Sequence, residues 1–302
     1  TGLFNATYTK AEIESDLRDE LGPNEGDVRE QDTDGHGTHV MGIAAGDGSA
    51  STAGFIGVAP QAWIIAVKTT FYTSDILAGV RYIFDKADEL GLPVVVNLSL
   101  GGQDGPHDGP SLFEQGLDEL LDRPGRAIVV SAGNEGDKAI HVGRSLNGDA
   151  YTFSLVPREG SLDFSLWYPG GSSFTITVVP PGGAPISVPT GESDSASTPS
   201  GNVYVDNASG GENPENGDNE ALINLSGLTS QLPWSVTVTD SGGGGRFDGW
   251  ITSDNGTILG GDASETVDEP GNARRVITVG AFITKSRWAS RAGEEDFSAQ
   301  YP

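Results

Sequence analysis

One stretch sets the architecture of this chain: Val94-Val95-Val96-Asn97-Leu98-Ser99-Leu100-Gly101-Gly102. Its apolar half is short and continuous, which is typical of a strand that is buried on both faces in a parallel sheet. Ala127–Ala132 repeats this pattern, and predicted helices over Asp75–Leu90 and Ser111–Leu121 alternate with the two strands. Strand–helix alternation of this length predicts an α/β fold with a parallel sheet.

Upstream of this stretch, the sequence predicts two more helices and one more strand. Thr9 and Glu12 form a capping box in front of a helix over Lys10–Leu21. A second helix is predicted over Gly37–Gly46, and the apolar run Trp63–Thr69 predicts a strand.

Downstream, the pattern changes to that of an all-β region. Tyr151–Thr252 contains roughly eight strand-like runs and no helical pattern. Phe174–Val178 and Ser235–Thr239 alternate strictly between apolar and polar residues, as half-buried strands do. These features predict an antiparallel β-sandwich, which we interpret as jelly-roll-like. Val276–Ala281 then returns to the buried-strand pattern.

The sandwich is therefore expected to interrupt the α/β domain instead of following it. We expect the first part of the α/β domain over residues 1–142 and the inserted sandwich over residues 143–270. The α/β domain would resume over residues 271–302.

The composition excludes several classes of protein. The 302 residues include 43 acidic and 17 basic side chains, which gives a net charge of −26, and no cysteine. Disulfides and cysteine-ligated metals are thus excluded, and a nucleic-acid partner is not expected. No run approaches the ~18 apolar residues of a membrane span. The low lysine content favours either a protein adapted to high salt or an ordinary acidic secreted protein. Both interpretations predict a secreted or cell-envelope location, in a prokaryote.

Three segments carry residues suited to catalysis. His36 lies among glycines within Asp34–Gly42, where an imidazole can act as a general base next to a substrate backbone. Asn97–Gly102 ends a predicted parallel strand, and ligands bind at the carboxyl ends of such strands. Asn134, after the next strand, offers a side-chain amide that could stabilise an oxyanion.

In order and spacing, these segments resemble the subtilisin-like serine proteases, or subtilases. The matching motifs are His36–Val40, Gly57–Pro60, Asn97–Gly102, Ala132–Gly136 and Ile277–Ala281. The inserted sandwich and the run Gly105–Gly109 are similar to the branch of the family that includes the clostridial germination proteases.

The resemblance implies a serine-type endopeptidase with a Ser-His-Asp mechanism and no cofactor. His36 would be the catalytic base and Asn134 the oxyanion donor. Ser99, Leu100 and Gly101 would pair with the extended backbone of a protein or peptide substrate. His39 would be structural and packed inside its helix.

Two members of the triad have no matching motif. Asp32-Thr33-Asp34-Gly35 has the letters of the aspartate motif, but it adjoins His36 and does not end a separate strand. The nucleophile motif Gly-Thr-Ser-Met-Ala does not occur. We therefore expect an internal fragment, with a subtilisin-like domain incomplete at both ends and very low activity by itself.

Alternative interpretations remain open for several polar residues. His36 and His39 could form a zinc pair, although no metal site is predicted. His107 and Asp108 could either contact the substrate or lie in a solvated loop. The acidic run Gly211–Glu220 could bind structural Ca²⁺ or form a solvated turn.

The alternative function belongs to another class. The protein could be a pseudoprotease scaffold whose sandwich binds a carbohydrate or a partner protein. That reading depends on four aromatic residues of the sandwich: Trp167, Tyr168, Trp234 and Trp250.

Overall fold

The computed structural model describes residues 6–18, 26–52, 54–158, 160–253, 255–283, 286–290 and 293–296. The chain divides into two compact units, residues 1–79 and residues 80–302. Its helices are α1 (Lys10–Arg18), α2 (His36–Ala45), α3 (Thr73–Leu90) and α4 (Leu112–Leu120). Within the described ranges, no helix is both long enough and apolar enough to cross a membrane.

The strands of the described ranges are short. In chain order they are β1 (Val94–Leu98), β2 (Arg126–Ser131), β3 (His141–Leu146), β4 (Ala150–Pro157), β5 (Ser161–Pro169), β6 (Ser173–Val179), β7 (Ile186–Pro189), β8 (Glu192–Thr198), β9 (Gly201–Asn207), β10 (Asp218–Ser226), β11 (Trp234–Gly242), β12 (Gly245–Ile251), β13 (Gly256–Leu259), β14 (Ile277–Val279), β15 (Arg287–Ser290) and β16 (Gly293–Asp296).

The first unit contains α1 and α2. The capping box of α1 is confirmed, because the N–H of Glu12 donates to Thr9 Oγ1 (3.4 Å) and the N–H of Thr9 donates to Glu12 Oε2 (2.6 Å). The predicted last residues of this helix, 19–21, lie outside the described residues. Helix α2 begins one residue before its predicted start and ends one residue before its predicted end.

The predicted strand over Trp63–Thr69 is wrong. These residues are not part of any sheet in the described ranges, and Trp63 is 75% exposed. An apolar run becomes a strand only where a neighbouring strand supplies its hydrogen-bond partners, and no pairing with this segment is found among the described residues.

In the second unit, β1, β2 and β14 form the parallel sheet that the sequence predicts. Their order is β1-β2-β14, with Leu98 beside Val130 and Ile277 beside Val129. Helix α4 begins after Ser111, whose Oγ accepts the N–H of Glu114 at 3.2 Å. The N-cap half of the capping box predicted at this helix is therefore present.

Two antiparallel sheets build the β-sandwich. One has the order β3-β12-β5-β10-β9-β8, and the other has the order β13-β4-β11-β6-β7. Side chains from both sheets share one hydrophobic core, in which Trp234, Phe174 and Phe247 are completely buried. The fold thus combines a parallel α/β sheet with an antiparallel β-sandwich, as predicted.

The chain leaves the sandwich close to the point where it enters. His141, at the start of β3, forms an antiparallel bridge with Asp262, beyond the end of β13. We call the following residues, Thr266–Gly271, the return segment. Glu269 of this segment pairs with Gly102, which lies beyond the end of β1.

Candidate active site

His36 is the first residue of α2. Gly35 precedes it with φ = 92°, in the left-handed region that favours glycine. Both histidines of α2, His36 and His39, are exposed, and α2 has no buried residue. His39 was expected to be packed inside its helix, but it is exposed in the described structure.

Asp32 holds the loop in front of His36 in place. Its Oδ1 accepts the N–H of Gly35 (2.8 Å), and its Oδ2 accepts both the N–H (2.8 Å) and the hydroxyl (2.7 Å) of Thr38. The hydroxyl of Thr38 and these N–H groups hold the pKa of Asp32 far below its usual range. Both carboxylate oxygens thus accept hydrogen bonds from the start of the helix.

The predicted substrate-binding residues Ser99, Leu100 and Gly101 follow directly after β1. Because β1 and β2 are parallel and in register at Leu98 and Val130, this segment starts beside the one that follows β2. Ser131 Oγ donates to the carbonyl of Leu100 at 3.5 Å, which links the two segments.

Asn134 lies on the loop that follows β2. The loop is attached to the sheet by the N–H of Ala132, which donates to the carbonyl of Val279 at 3.0 Å. Asn134 is exposed, and its N–H donates to Glu135 Oε2 at 2.6 Å. The structure therefore brings Asn134 and Ser99–Gly101 to the same edge of the parallel sheet, while His36 belongs to the first unit.

The return segment places an acidic residue between these two loops, and sequence analysis missed it. The N–H of Asp268 donates to the carbonyl of Ala132 at 3.1 Å, and the N–H of Glu269 donates to the carbonyl of Gly102 at 2.8 Å. No pattern around Asp268 indicates this position. The available signal is the pair of glycines, Gly101 and Gly133, whose bare backbones lie against its side chain.

Carboxyl groups with raised pKa values lie around the start of α4, where Glu114 is buried, Glu269 is half-buried and Asp104 is exposed. Burial raises the pKa of Glu269 to about 7; the hydrogen bond from Ser111 opposes this shift, and the nearby charges of Glu114, Asp104 and Asp108 add to it. Burial also raises the pKa values of Glu114 and Asp104. The structure thus concentrates carboxyl groups that resist ionisation next to the loop that follows Gly102.

His107 does not lie in a solvated loop, which was one of the two alternatives. Its ring stacks on Trp250 of β12, with 4.2 Å between ring centroids and 5° between ring planes. Burial lowers the pKa of His107. Asp108 is exposed, and Asn216 Nδ2 donates to its Oδ2 at 3.1 Å. Both residues therefore attach their loop to the sandwich.

His141, Asp248 and Glu265 form the one group of three potential metal ligands within the described ranges. His141 Nδ1 lies 2.8 Å from Asp262 Oδ1, and its Nε2 lies 3.2 Å from Asp248 Oδ1. Burial lowers the pKa of this imidazole, but the hydrogen bonds to both aspartates outweigh that effect and raise it. Arg246 Nη2 also binds Asp248 at 2.5 Å. The arrangement is therefore an ion-pair network in which the protein supplies its own cations.

The acidic run Gly211–Glu220 forms a turn that its own side chains stabilise. Asn213 Oδ1 accepts the N–H of Glu215 at 2.8 Å, and Asn216 Oδ1 accepts the N–H of Asp218 at 3.0 Å.

The four aromatic residues of the alternative function belong to the interior of the sandwich. Trp167, Tyr168, Trp234 and Trp250 are between 0% and 7% exposed. They offer no surface on which a sugar ring could stack.

Comparison with known proteins gives a consistent result. The sequence profile of the subtilase family (peptidase S8) matches residues 3–210. Subtilisin-like protease 3 of Pseudogymnoascus destructans is 36% identical over 144 residues, which are 45% of this chain and 32% of that protein. A subtilisin of Bacillus sp. (strain TA39) is 37% identical over 110 residues, which are 35% of this chain and 25% of that protein.

A solved structure extends the similarity to the sandwich. The Clostridium perfringens CspB protease superimposes with a TM-score of 0.77 and 26% sequence identity, over 91% of this chain and 60% of that protein. The chain thus spans about a third or less of the two relatives above and three fifths of this structure. Profile, relatives and fold agree, and the chain belongs to the subtilase family of serine proteases.

Proposed function

We propose that this chain supplies the base, the oxyanion donor and the substrate-binding strand of a subtilisin-type serine endopeptidase. His36 is the base, Asn134 is the oxyanion donor, and Ser99, Leu100 and Gly101 bind the substrate. The observation that supports this most is the parallel register of β1 and β2. Because of this register, the substrate-binding segment Ser99–Gly101 after β1 begins beside the loop after β2 that carries Asn134.

This geometry suits the cleavage of an extended peptide. A peptide that adds to Ser99–Gly101 as a further strand gains backbone hydrogen bonds at every second residue. Its carbonyl group can then meet the exposed amide of Asn134, which donates a hydrogen bond to the oxygen as negative charge develops there. His36 takes the proton of the attacking hydroxyl group and returns it to the leaving amine.

We infer that the 302-residue chain is a slow catalyst by itself, because it has no match to the aspartate and nucleophile motifs of the family. In subtilisin, the loss of the nucleophile alone lowers turnover by a factor of about 10⁶. The negative charge of −26 supports a secreted or cell-envelope location for the enzyme.

The test uses the protein expressed from its complete open reading frame, here called the complete protein. We expect a serine-directed fluorophosphonate to label it, and His36→Ala to abolish the labelling. Asn134→Ala should lower kcat by about 10²–10³, as the loss of an oxyanion donor does in subtilisin. Asn255→Ala, at an exposed turn of the sandwich, is the matched control and should leave kcat unchanged.

Labelling that persists without His36, or an unchanged kcat in Asn134→Ala, would remove the assigned roles. A complete protein that is folded but neither labels nor cleaves peptides would be a pseudoprotease.

A further inference from the structure

The carboxyl group of Glu269 is held between the start of α4 and the loop in front of it. The hydroxyl of Ser111, the residue before α4, donates a hydrogen bond to Glu269 Oε1. A Cβ atom placed on Gly105 would overlap Glu269 Oε2, so the side chain lies directly against the backbone of the loop. Gly105 also has φ = 92°, a conformation that residues with a side chain rarely adopt.

The backbone of Glu269 pairs with the residue that follows the substrate-binding segment. The N–H of Glu269 donates to the carbonyl of Gly102 at 2.8 Å, and the N–H of Gly102 donates to the carbonyl of Glu269 at 3.1 Å. Gly102 directly follows Gly101, the last of the three substrate-binding residues proposed above. Glu269 therefore joins this segment to the start of α4.

The contacts of Ser111 require a proton on one of two carboxyl groups. Its Oγ contacts Glu269 Oε1 and lies 3.1 Å from Glu114 Oε2, but a hydroxyl group has a single hydrogen to donate. The second carboxyl group must therefore supply its own proton. Glu114 is 2% exposed, and its Oε1 has no hydrogen-bond partner among the described residues. Two ionised carboxylates at this position would repel each other without a proton between them.

The charges that surround the carboxyl group of Glu269 also oppose its ionisation. The neighbouring titratable groups come from three elements: Glu114 of α4, Asp104 and Asp108 of the preceding loop, and Asp268 of the return segment itself. The backbone N–H groups of Arg274 and Arg275, which follow the return segment, donate to the carboxylate of Asp118. Burial, together with the charges of Glu114, Asp104 and Asp108, raises the pKa of Glu269 to about 7. The group thus exchanges its proton near neutral pH.

We propose that Glu269 is a positioning residue, which holds the substrate-binding segment in place while it is protonated and releases the segment when it ionises. This proposal rests on the proposed function, because the segment is the one that binds the peptide. Ionised Glu269 gives its proton to the solvent and moves away from Glu114, so its backbone pairing with Gly102 loosens. The segment must then be ordered again when a peptide adds to it, and peptide binding weakens.

The experiment measures peptide cleavage by the complete protein across neutral pH. We expect KM to rise above a pH of about 7, by up to about tenfold for each pH unit, since a single proton is released. The value of kcat should not fall over the same range, because a bound peptide restores the pairing of the segment. A loss of structure that affected catalysis in general would lower kcat as well.

Glu269→Gln should remove the rise in KM, because glutamine stays neutral and can still form a hydrogen bond with Ser111. Glu119→Gln, at an exposed position of α4, is the matched control and should keep the wild-type profile. A rise that persists in Glu269→Gln would overturn the proposal. If this variant does not fold, the wild-type profile decides, and a KM that is independent of pH overturns the proposal.

Hydrogen exchange tests the same pairing without catalysis, which separates this proposal from the proposed function if no peptide is cleaved. In the 302-residue chain, the amide of Gly102 reports its bond to Glu269, and the amide of Val236, in the buried centre of β11, reports the stability of the sandwich. Above a pH of about 7, we expect the protection factor of Gly102 to fall more steeply than that of Val236. Glu269→Gln should abolish this difference. Equal changes at the two amides of the wild type would overturn the proposal.

Discussion

The imidazole of His107 lies flat on the indole of Trp250, with their ring centroids 4.2 Å apart. His107 belongs to the loop that links Gly102 to α4, and Trp250 belongs to β12 of the sandwich, where it is 1% exposed. His107 adopts φ = 56°, an unusual conformation for a residue with a side chain. The stack therefore connects the loop next to the candidate active site to the rigid core of the sandwich.

Removing this stack should loosen the loop. We expect His107→Ala to lower the free energy of unfolding by about 1 kcal/mol, the typical contribution of an aromatic pair. His107→Phe keeps a ring at the same backbone position, so it controls for the strained conformation and should lose much less. Urea unfolding measures both, and equal losses in the two variants would show that the ring contact does not contribute.

The half-buried carboxyl group of Glu269 should make stability depend on pH. Its pKa is about 7 in the folded protein and 4.5 ordinarily, so the folded state binds its proton more tightly than the unfolded state does. This contribution to stability is complete below pH 4.5 and is lost as the pH rises through about 7. We therefore expect the free energy of unfolding to fall over this range. Glu114 and Asp104, with raised pKa values, act in the same direction.

Glu269→Gln tests this assignment, since glutamine resembles the protonated form. The variant should show a flatter pH dependence than the wild type, and it should be more stable than the wild type at alkaline pH. Glu119→Gln, at an exposed position of α4, should keep the wild-type slope. Chemical denaturation across the pH range supplies the data, and a parallel slope for Glu269→Gln would exclude this residue as the source.

Salt should stabilise this protein through screening. With a net charge of −26, repulsion between carboxylates opposes the compact state. The Debye length falls from about 10 Å at 0.1 M salt to about 3 Å at 1 M, so most of this repulsion disappears over that range. We expect Tm to rise from low to molar NaCl, and no rise would contradict the adaptation to high salt. Sucrose at equal osmolality is the control and should have a smaller effect.

The parallel sheet exposes apolar side chains in the described structure. Val95 is 68% exposed, Ile277 is 54% exposed and Val279 is 51% exposed. A cluster of this kind promotes association, so the 302-residue chain should form dimers or larger species that light scattering detects. Val95→Lys should reduce the association. Leu259→Lys, at a residue of the sandwich that is 54% exposed, is the control and should not.

Asp32 should be dispensable for chemistry. Its carboxylate oxygens accept hydrogen bonds from the N–H groups of Gly35 and Thr38 at the start of α2. Asp32→Ala removes these bonds and should therefore lower the free energy of unfolding. In the complete protein at a temperature where the variant is folded, we expect most of the turnover to remain. A loss of about 10⁴, which is the cost of replacing a triad aspartate, would instead identify Asp32 as that residue.

Local patterns predicted the elements that depend on local contacts. The capping box at Thr9 and the N-cap bond at Ser111 both join residues three positions apart, and both form. The parallel strands were visible as short apolar runs, the pattern typical of such strands, although one face of β1 is exposed in the described structure. Strand β8 has mostly exposed polar residues, and its place at a sheet edge has no comparable signal.

Contacts between distant parts of the chain could not be predicted. In sequence, the whole sandwich lies between β2 and Asp268. Asp268 lies near the candidate site because the chain, after the sandwich, comes back to Gly102 beyond the end of β1. The strand predicted over Trp63–Thr69 was wrong for a related reason, because apolar residues alone do not show whether a partner strand is present. The roles proposed for His36 and Asn134 came from the family motif.

The pairing of His141 with Asp262 has a consequence for the history of this protein. Their backbones exchange two hydrogen bonds, of 2.8 Å and 3.2 Å, so the chain departs and comes back through neighbouring positions. Whatever lies between such positions can be lengthened, shortened or replaced without moving the flanking residues apart. A single genetic insertion or exchange at this point could thus have given an ancestral protease a new outer module while its catalytic framework stayed intact.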